Sequence, residues 1–267
     1  MHRTMLYHHV VVILLVVARC CCLGSGSRIA RRLKVMPGDG PLTTKTSYPL
    51  LFLCDVDNTL LDNDQIEHDV SDHLTQEFGR EACDRYWKIL EQLRLELGYA
   101  DFLGALQRYR VERLHDPHIL EMSSFLVDYP FADRLYPGAL DLVTRLSTRW
   151  PVVVFSDGDA VFQPRKVERS GLKTAVDGRV LIYIHKEQML DDVERLYPAE
   201  HYVFVDDKLR LLNAVKQIWG SRVTTVFHRQ GHYAYAADVK TYPPADMTVA
   251  RIADVFEYVQ KTFGRDG

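Results

Sequence analysis

Five apolar runs of strand length set the strongest constraint on how this chain can fold. They are nearly continuous in hydrophobic residues rather than alternating, as in parallel strands that helices cover on both faces. Longer segments with helical spacing separate them, so the order of elements alternates between strand and helix. This pattern predicts an α/β fold with a doubly wound parallel sheet. The runs are residues 50–55, 151–156, 180–184, 202–207 and 223–227.

One interval breaks the alternation. About ninety residues between the first and second runs, 61–150, contain no convincing strand and show helical spacing. We predict a mainly helical cap at 63–132, inserted into a catalytic core made of 48–62 and 133–267. An insertion directly after the first strand places the cap over the carboxyl ends of the strands, where open α/β sheets bind ligands.

Residues 1–47 form a separate leader. Its apolar run at 10–18 is too short for a membrane-spanning helix, which needs about 20 residues, and it resembles the apolar core of a signal peptide. Basic residues follow this run, a distribution that keeps the downstream chain in the cytoplasm. We predict a cytoplasmic protein with a disordered or hydrophobic leader. The alternatives are a true start at Met36, or membrane contact, tethering or export through residues 10–23.

Charge and cysteine content restrict the function further. The net charge of −3 lacks the broad positive field of a non-specific nucleic-acid-binding protein, so we predict no nucleic-acid partner. The 5 cysteines include three in a row, and neighbouring cysteines are poor disulfide partners. Cys54 lies inside the first strand and is expected to be a buried free thiol. These features favour a reducing compartment.

Polar residues stand at the ends of four of the apolar runs. Because parallel strands end along one edge of a sheet, these groups are expected to converge on one crevice. Clustered carboxylates repel one another unless a cation joins them, and hard oxygen ligands suit Mg²⁺. The residues are Asp55, Asp57, Ser156, Asp157, Gly158, Lys186, Asp206 and Asp207.

Four short motifs built from these residues resemble the haloacid dehalogenase (HAD) superfamily. DVDNT at 55–59 matches its DxDxT nucleophile motif, and FSDGD at 155–159 matches its second motif. Lys186 fits the third motif, and VFVDD at 203–207 fits the acidic fourth motif. The motifs occur in the order of that family, and the resemblance covers about residues 48–265. A helical insert in the first gap is similar to the type 1 cap of the family.

The resemblance implies a role for each catalytic group. Asp55 would attack phosphorus and form an aspartyl-phosphate. Asp57 would protonate the leaving oxygen and then activate the hydrolytic water. Lys186 would neutralise charge on Asp55 and on the transferring group.

It also implies the ligands of the phosphoryl group and of Mg²⁺. Ser156 and the backbone amides near Asp157 and Gly158 would hold the phosphoryl oxygens. The metal would bind the Asp55 carboxylate, the Asp57 main-chain carbonyl and an acid of the fourth motif. Alignment with the usual V-G-D pattern favours Asp207, whereas Asp206 occupies a position where glycine is common. The choice between these two acids stays open, and Asp206 could bind through water.

Together these features predict a Mg²⁺-dependent phosphohydrolase of small phosphorylated metabolites. Asp57 favours phosphate esters, since the dehalogenases of this family lack the second aspartate. A 2-haloacid dehalogenase, a phosphomutase and a catalytically silent interaction module are the alternatives. The substrate and the oligomeric state stay open.

Other polar residues have simpler interpretations. Lys166 competes with Lys186 as the lysine of the third motif, but its RKVER segment has the pattern of an exposed helix face. The pairs His228/His232 and His115/His118 lack a third metal ligand, so surface or core histidines are expected. The arginines of the predicted cap are expected to lie mostly on a solvated face, although one could contact an anionic substrate. They include Arg94, Arg108, Arg110 and Arg113.

Overall fold

The computed structural model describes residues 47–264, and a six-stranded sheet forms its centre. The predicted leader lies outside the described residues, except for its last residue. The doubly wound α/β prediction is confirmed, with all five predicted strands present and a short sixth strand that was not predicted. The strands are β1 (Tyr48–Cys54), β2 (Val152–Asp157), β3 (Val180–Tyr183), β4 (Ala199–Asp206), β5 (Val223–His228) and β6 (Met247–Val249).

The strand order in the sheet is β3-β2-β1-β4-β5-β6, and every neighbouring pair is parallel. The chain builds outward from β1 to β3, then returns to pair β4 with the other edge of β1. Strand order therefore reverses between β1 and β4, where Cys54 is in register with Val205. The crevice at the carboxyl ends of these two strands is the place where such sheets bind ligands.

Side chains of the central strands alternate between two hydrophobic clusters, one on each face of the sheet. Phe52 and Cys54 belong to the larger cluster, whereas Leu51 and Leu53 belong to the smaller one. Both faces are buried, which explains why these strands are apolar at successive positions. Cys54 is a buried free thiol, as predicted.

Helices cover both faces and also fill the long interval after β1. A 3-10 turn, Phe131–Arg134, follows the fourth helix. The interval between β1 and β2 is helical, as the sequence predicted, while the cap boundaries at 63 and 132 stay a prediction. The helices are α1 (Asn63–Phe78), α2 (Arg80–Leu97), α3 (Phe102–Glu112), α4 (Ile119–Asp128), α5 (Ala139–Ser147), α6 (Phe162–Arg169), α7 (Leu172–Ala175), α8 (Leu190–Leu196), α9 (Leu209–Trp219) and α10 (Val255–Phe263).

The two chain segments that enter and leave the α1–α4 region lie side by side. The Asp62 amide donates to the Arg134 carbonyl at 2.8 Å, and the Tyr136 amide donates to the Leu60 carbonyl at 2.9 Å. These bonds hold both ends of the helical region beside the end of β1. The start of α1 is therefore placed next to the crevice.

Aromatic residues join the α1–α4 region to α6 of the core. Phe102 stacks on Phe162 with ring centroids 4.5 Å apart, and Phe131 meets the same ring edge-on at 5.4 Å. Such pairs stabilise a contact beyond the area that they bury. Within residues 47–264, none of the helices is long and apolar enough to span a membrane.

Candidate active site

Asp55 directly follows β1, and its side chain is held from two sides. Lys186 Nζ donates to Oδ1 at 2.6 Å, and Thr59 Oγ1 donates to Oδ2 at 3.0 Å. Burial opposes ionisation of this carboxyl, but the charges of Lys186 and Lys208 and these hydrogen bonds outweigh burial and lower its pKa. Asp55 is therefore an ionised carboxylate in a fixed orientation, the state that a nucleophile requires.

Lys186 follows β3 and reaches back under the crevice with only 2% of its surface exposed. Its Nζ lies 2.6 Å from Asp55, 2.7 Å from Asp206 and 3.1 Å from the Phe155 carbonyl oxygen. Burial favours the neutral amine, but the neighbouring carboxylates outweigh it and raise the pKa of Lys186. The structure thus brings Lys186 to Asp55 as a permanent cation, while its catalytic role stays a prediction.

Three carboxylates meet at the ends of β1 and β4. One oxygen from each of Asp55, Asp206 and Asp207 lies within 4.8 Å of the others, and all three residues are buried. Burial raises the pKa of Asp207 well above its ordinary value, and repulsion from Asp206 adds to this effect. A cation placed among these carboxylates would offset both the cost of burying their charge and their mutual repulsion.

The partners of the two neighbouring acids differ. Asp206 pairs with Lys186 and accepts the Lys208 amide at 2.7 Å. Both carboxylate oxygens of Asp207 are buried and accept no hydrogen bond from the described residues. Buried carboxylates without a donor are rare unless they bind a cation. The donor set therefore fits a hard divalent ion such as Mg²⁺, and Asp207 is the acid left free to bind it.

Asp57 points to a different lysine. Lys166 Nζ lies 2.7 Å from Asp57 Oδ1 and 2.7 Å from Asn63 Oδ1. Lys166 is only 1% exposed, so the prediction that it lies on an exposed helix face is wrong. Two aromatic rings cover this ammonium group, which lies 5.8 Å from the ring centroid of Phe102 in α3 and 5.2 Å from that of Phe162 in α6 itself. Lys166 thus pairs with Asp57, whereas Lys186 pairs with Asp55.

Lys208 is a further site residue that the sequence reasoning missed. It is half-buried, lines the same cavity as Asp57 and directly follows the acidic pair, which was the available signal. Burial disfavours its charged form, but Asp207, Asp55 and Asp206 outweigh burial and raise its pKa. The site therefore contains a second permanent cation close to the carboxylates.

Ser156, at the end of β2, faces Asp55. Its Oγ lies 3.4 Å from Asp55 Oδ1 and accepts a hydrogen bond from Gln163 Nε2 at 3.0 Å. The hydroxyl is buried and positioned to donate to a group bound beside Asp55. The amides of Val56 and Asp57, next along the chain, donate to no other described residue and could also bind an anion.

Asp157 and Gly158 serve the structure of the site in ways that the sequence reasoning did not predict. The Gly158 amide donates to the Tyr183 carbonyl at 3.0 Å, so this amide is already used. The Asp157 carboxylate accepts the Lys186 amide at 2.6 Å and thereby orients the lysine loop. Gly158 is required by space, because a Cβ there would lie 2.5 Å from the Gln163 side chain.

A cavity of about 370 Å³ adjoins the site, with Asp57, Asp157 and Gly158 in its lining. The described residues that line it come from the core and from the α1–α4 region, and they include Asp57, Lys208, Tyr99 and Phe102. Of the four arginines singled out in the sequence, Arg94 lines this cavity. The others face elsewhere: Arg108 pairs with Glu96, Arg113 lies 3.8 Å from Glu81, and Arg110 is exposed.

The histidines at 228 and 232 do not act as a pair. His232 lines the cavity and contacts Asp64 of α1, with Nδ1 2.5 Å from Oδ1. His228 ends β5, is fully buried, and neither ring nitrogen has a hydrogen-bond partner among residues 47–264. In the loop between α3 and α4, His118 contacts Asp116.

We expect His228 to make the folded state sensitive to acid. Burial lowers the pKa of His228 to about 4, against 6.5 for an ordinary histidine. As pH falls from 7.5 to 5, the unfolded chain takes up a proton that the folded chain refuses. Folding should lose about 2 kcal/mol over this interval through His228 alone. The free energy of unfolding in urea, measured at both pH values for wild type and His228→Leu, checks this.

The leucine variant should have the smaller loss of stability between pH 7.5 and 5, since other titrating groups act equally in both proteins. Substitution of the exposed His68 by glutamine serves as the matched control and should retain the wild-type slope. Parallel slopes for wild type and His228→Leu would contradict the assignment of a neutral buried imidazole.

Comparison with known proteins places this geometry in context. A family model described as haloacid dehalogenase-like hydrolase matches residues 50–218. A solved structure of a haloacid dehalogenase-like hydrolase from Burkholderia xenovorans LB400 shares 60% identity with this chain. That match covers 79% of this chain and 98% of the other, with a TM-score of 0.74. No curated protein matches the chain at a significant level.

More distant structures share the fold alone. The HAD-hydrolase YfnB from Bacillus subtilis, bound to magnesium, has 15% identity and a TM-score of 0.53, covering 80% of this chain and 99% of the other. The L-2-haloacid dehalogenase from Xanthobacter autotrophicus, with chloropropionic acid covalently bound, has 16% identity and a TM-score of 0.52 over the same shares. Proteins described as hydrolases and as dehalogenases thus occur among the structural neighbours.

Proposed function

The chain belongs to the haloacid dehalogenase-like hydrolases, and on this premise we propose that it is a Mg²⁺-dependent phosphatase of small phosphorylated metabolites. The observation that carries the proposal is the carboxylate of Asp57, which lines the cavity two residues after Asp55. The oxygen that leaves a phosphate ester needs a proton, whereas a halide leaves without one. A second carboxylate beside the nucleophile therefore favours phosphate esters.

The proposed reaction has two steps that share one phosphorus centre. An Asp55 oxygen attacks phosphorus, the bond from phosphorus to the ester oxygen breaks, and Asp57 gives its proton to that oxygen. Water then attacks the aspartyl-phosphate and gives a proton to Asp57. The bond from phosphorus to Asp55 breaks, inorganic phosphate leaves, and both aspartates return to their initial states.

Fixed charges around Asp55 support this chemistry. Lys186 and the Ser156 hydroxyl contact Asp55 and would bind phosphoryl oxygens that gain negative charge in the transition state. Lys166 holds the Asp57 side chain in place, 2.7 Å from its carboxylate. Because these groups are positioned before substrate binds, little reorganisation accompanies the reaction.

Asp55 and Asp207 are the carboxylates that would hold Mg²⁺, together with the Asp57 main-chain carbonyl that the family resemblance implies. Asp206 would contribute charge and could reach the ion through water, because Lys186 already occupies its carboxylate. When bound, Mg²⁺ would neutralise the carboxylates and polarise the phosphoryl group.

The substrate class is proposed from the cavity. A volume of about 370 Å³ lies within the range of pockets for small molecules, roughly 300–1,000 Å³. Among the charged side chains of its lining, Lys208 has no carboxylate partner within residues 47–264 and is available to an anionic ligand. These features support a small phosphorylated metabolite.

We expect purified protein to hydrolyse p-nitrophenyl phosphate with Mg²⁺ and to lose this activity in excess chelator. The reason is that three carboxylates then face the incoming dianion without their cation. Released phosphate is measured for p-nitrophenyl phosphate and a panel of sugar, glycerol and nucleoside monophosphates. The chelated enzyme should recover after Mg²⁺ is restored, which controls for unfolding.

The same preparation is offered 2-chloropropionate, and chloride is measured. Chloride release without metal, with no phosphate released from the panel, would contradict the proposal and assign a dehalogenase. Isomerisation of a sugar phosphate without net release of phosphate would assign a phosphomutase. Metal binding without turnover of either substrate class would assign a silent module.

A further inference from the structure

Lys208 is a cation at the crevice whose side chain has no acceptor. It lines the cavity, half-buried, one residue after the acid that is free to bind metal. Among residues 47–264 its ammonium group forms neither an ion pair nor a hydrogen bond, and it lies over the ring of Tyr233. A half-buried ammonium with three unused donors is available to an acceptor that another molecule supplies.

The Tyr233 ring positions this lysine without neutralising it. Lys208 Nζ lies 4.6 Å from the centroid of the ring, a favourable cation–π distance. Tyr233 in turn packs on His232, with ring centroids 3.9 Å apart, and the His232 amide donates to Asp64 at 2.8 Å. The platform under Lys208 is therefore anchored to the first turn of α1, and the donors of the ammonium group stay free.

Charge balance shows what Lys208 adds. The three clustered carboxylates together with Lys186 carry two net negative charges, which one divalent ion would neutralise. With Mg²⁺ bound and no further cation, these groups would carry no net charge and would not attract a phosphate dianion. Lys208 adds one positive charge to this set of groups, and attraction for an anion increases accordingly.

We propose that Lys208 is a catalytic residue that donates a hydrogen bond to a non-bridging oxygen of the transferring phosphoryl group. This inference rests on the proposed phosphatase function. Lys208 keeps its proton throughout: the bond from phosphorus to Asp55 forms as the ester bond breaks, and Asp57 carries the transferred proton. The attraction between Lys208 and the phosphoryl oxygens increases as these oxygens gain charge.

The test measures inhibition of the Mg²⁺-loaded enzyme by orthovanadate and by inorganic phosphate, with p-nitrophenyl phosphate as substrate. In Lys208→Met the inhibition constant for orthovanadate should rise about 100-fold, that for phosphate should rise less, and kcat/KM should fall about 100-fold. Lys208→Arg should restore part of the vanadate affinity, because it retains the charge. Lys88→Met, on the exposed face of α2, is the matched control and should behave as wild type.

A purely structural role for Lys208 gives a different result. If it served only as a counterion for the acids, Lys208→Met would bind Mg²⁺ more tightly and keep its vanadate affinity, which would overturn the inference. Should Lys208→Met fail to fold, Tyr233→Leu removes the platform and should raise the vanadate constant about 10-fold. A wild-type enzyme without phosphatase activity would instead overturn the proposed function and this inference with it.

Discussion

Replacement of Asp55 by asparagine is expected to lower kcat for p-nitrophenyl phosphate about 10⁵-fold. The variant keeps the shape of the side chain but loses the anionic oxygen that forms the bond to phosphorus. Lys186 would retain its ion pair with Asp206 at 2.7 Å, so the lysine should stay in place. Initial rates with Mg²⁺, together with the thermal unfolding midpoint, measure the effect on catalysis apart from folding.

Two further measurements strengthen this prediction. Wild type quenched in acid during turnover should contain an Asp55-bearing peptide heavier by one phosphoryl group, and the variant should contain none. Asp72→Asn, on the exposed side of α1, is the matched control and should keep wild-type turnover. A variant at Asp55 that retained more than about one hundredth of the activity would rule out covalent catalysis by this residue.

Replacement of Asp57 by asparagine is expected to produce an effect that depends on the leaving group. An alkyl phosphate requires a proton on the departing oxygen, so kcat/KM for glycerol phosphate should fall about 10⁴-fold. p-Nitrophenolate is stable as an anion, so the first step with p-nitrophenyl phosphate should be affected much less. Hydrolysis of the aspartyl-phosphate still needs a base. Rapid mixing should therefore show a burst of p-nitrophenol close to one equivalent, followed by slow turnover.

The position of Lys166 makes this variant interpretable. Its ammonium group would keep the hydrogen bond to Asn63 Oδ1 at 2.7 Å, so loss of the Asp57 charge does not leave the lysine without a partner. An equal loss of rate for both substrates, with no burst, would show that Asp57 positions the site rather than transferring a proton.

Much of this fold was predictable because its signals are local. The apolar runs predicted five of the six strands and their parallel orientation. The absence of a strand pattern in 61–150 predicted the inserted helices. β6 was missed because three residues are too few to show a period, and it forms only where β5 offers a free edge. The predicted and observed ends of the other strands differ by up to three residues, because pairing with a neighbouring strand decides where each strand ends. Pairing with Tyr48, for example, extends β4 back to Ala199.

The site was predictable to a smaller extent. The motif residues at the strand ends converge because parallel strands share an edge. The local pattern of α6, in contrast, gives no sign that Lys166 is buried, because Asp57, Asn63 and Phe102, which surround its ammonium group, belong to other elements. The sequence likewise gives no sign that the Gly158 amide is already bonded, since its acceptor, the Tyr183 carbonyl, lies on β3.

The sequence alone determined which groups can meet at the crevice. Its hydrophobic pattern specifies the parallel strands, and the acids and bases that follow these strands are therefore placed at one edge of the sheet. The tertiary structure decided which of these groups pair. Asp57 and Lys166 are 109 residues apart, and Lys186 bridges Asp55 and Asp206 from a third strand. Pairing of this kind depends on burial and on distances of a few ångströms, because electrostatic interactions strengthen as water is excluded. Those distances exist only once the strands of the sheet and α6 have packed together.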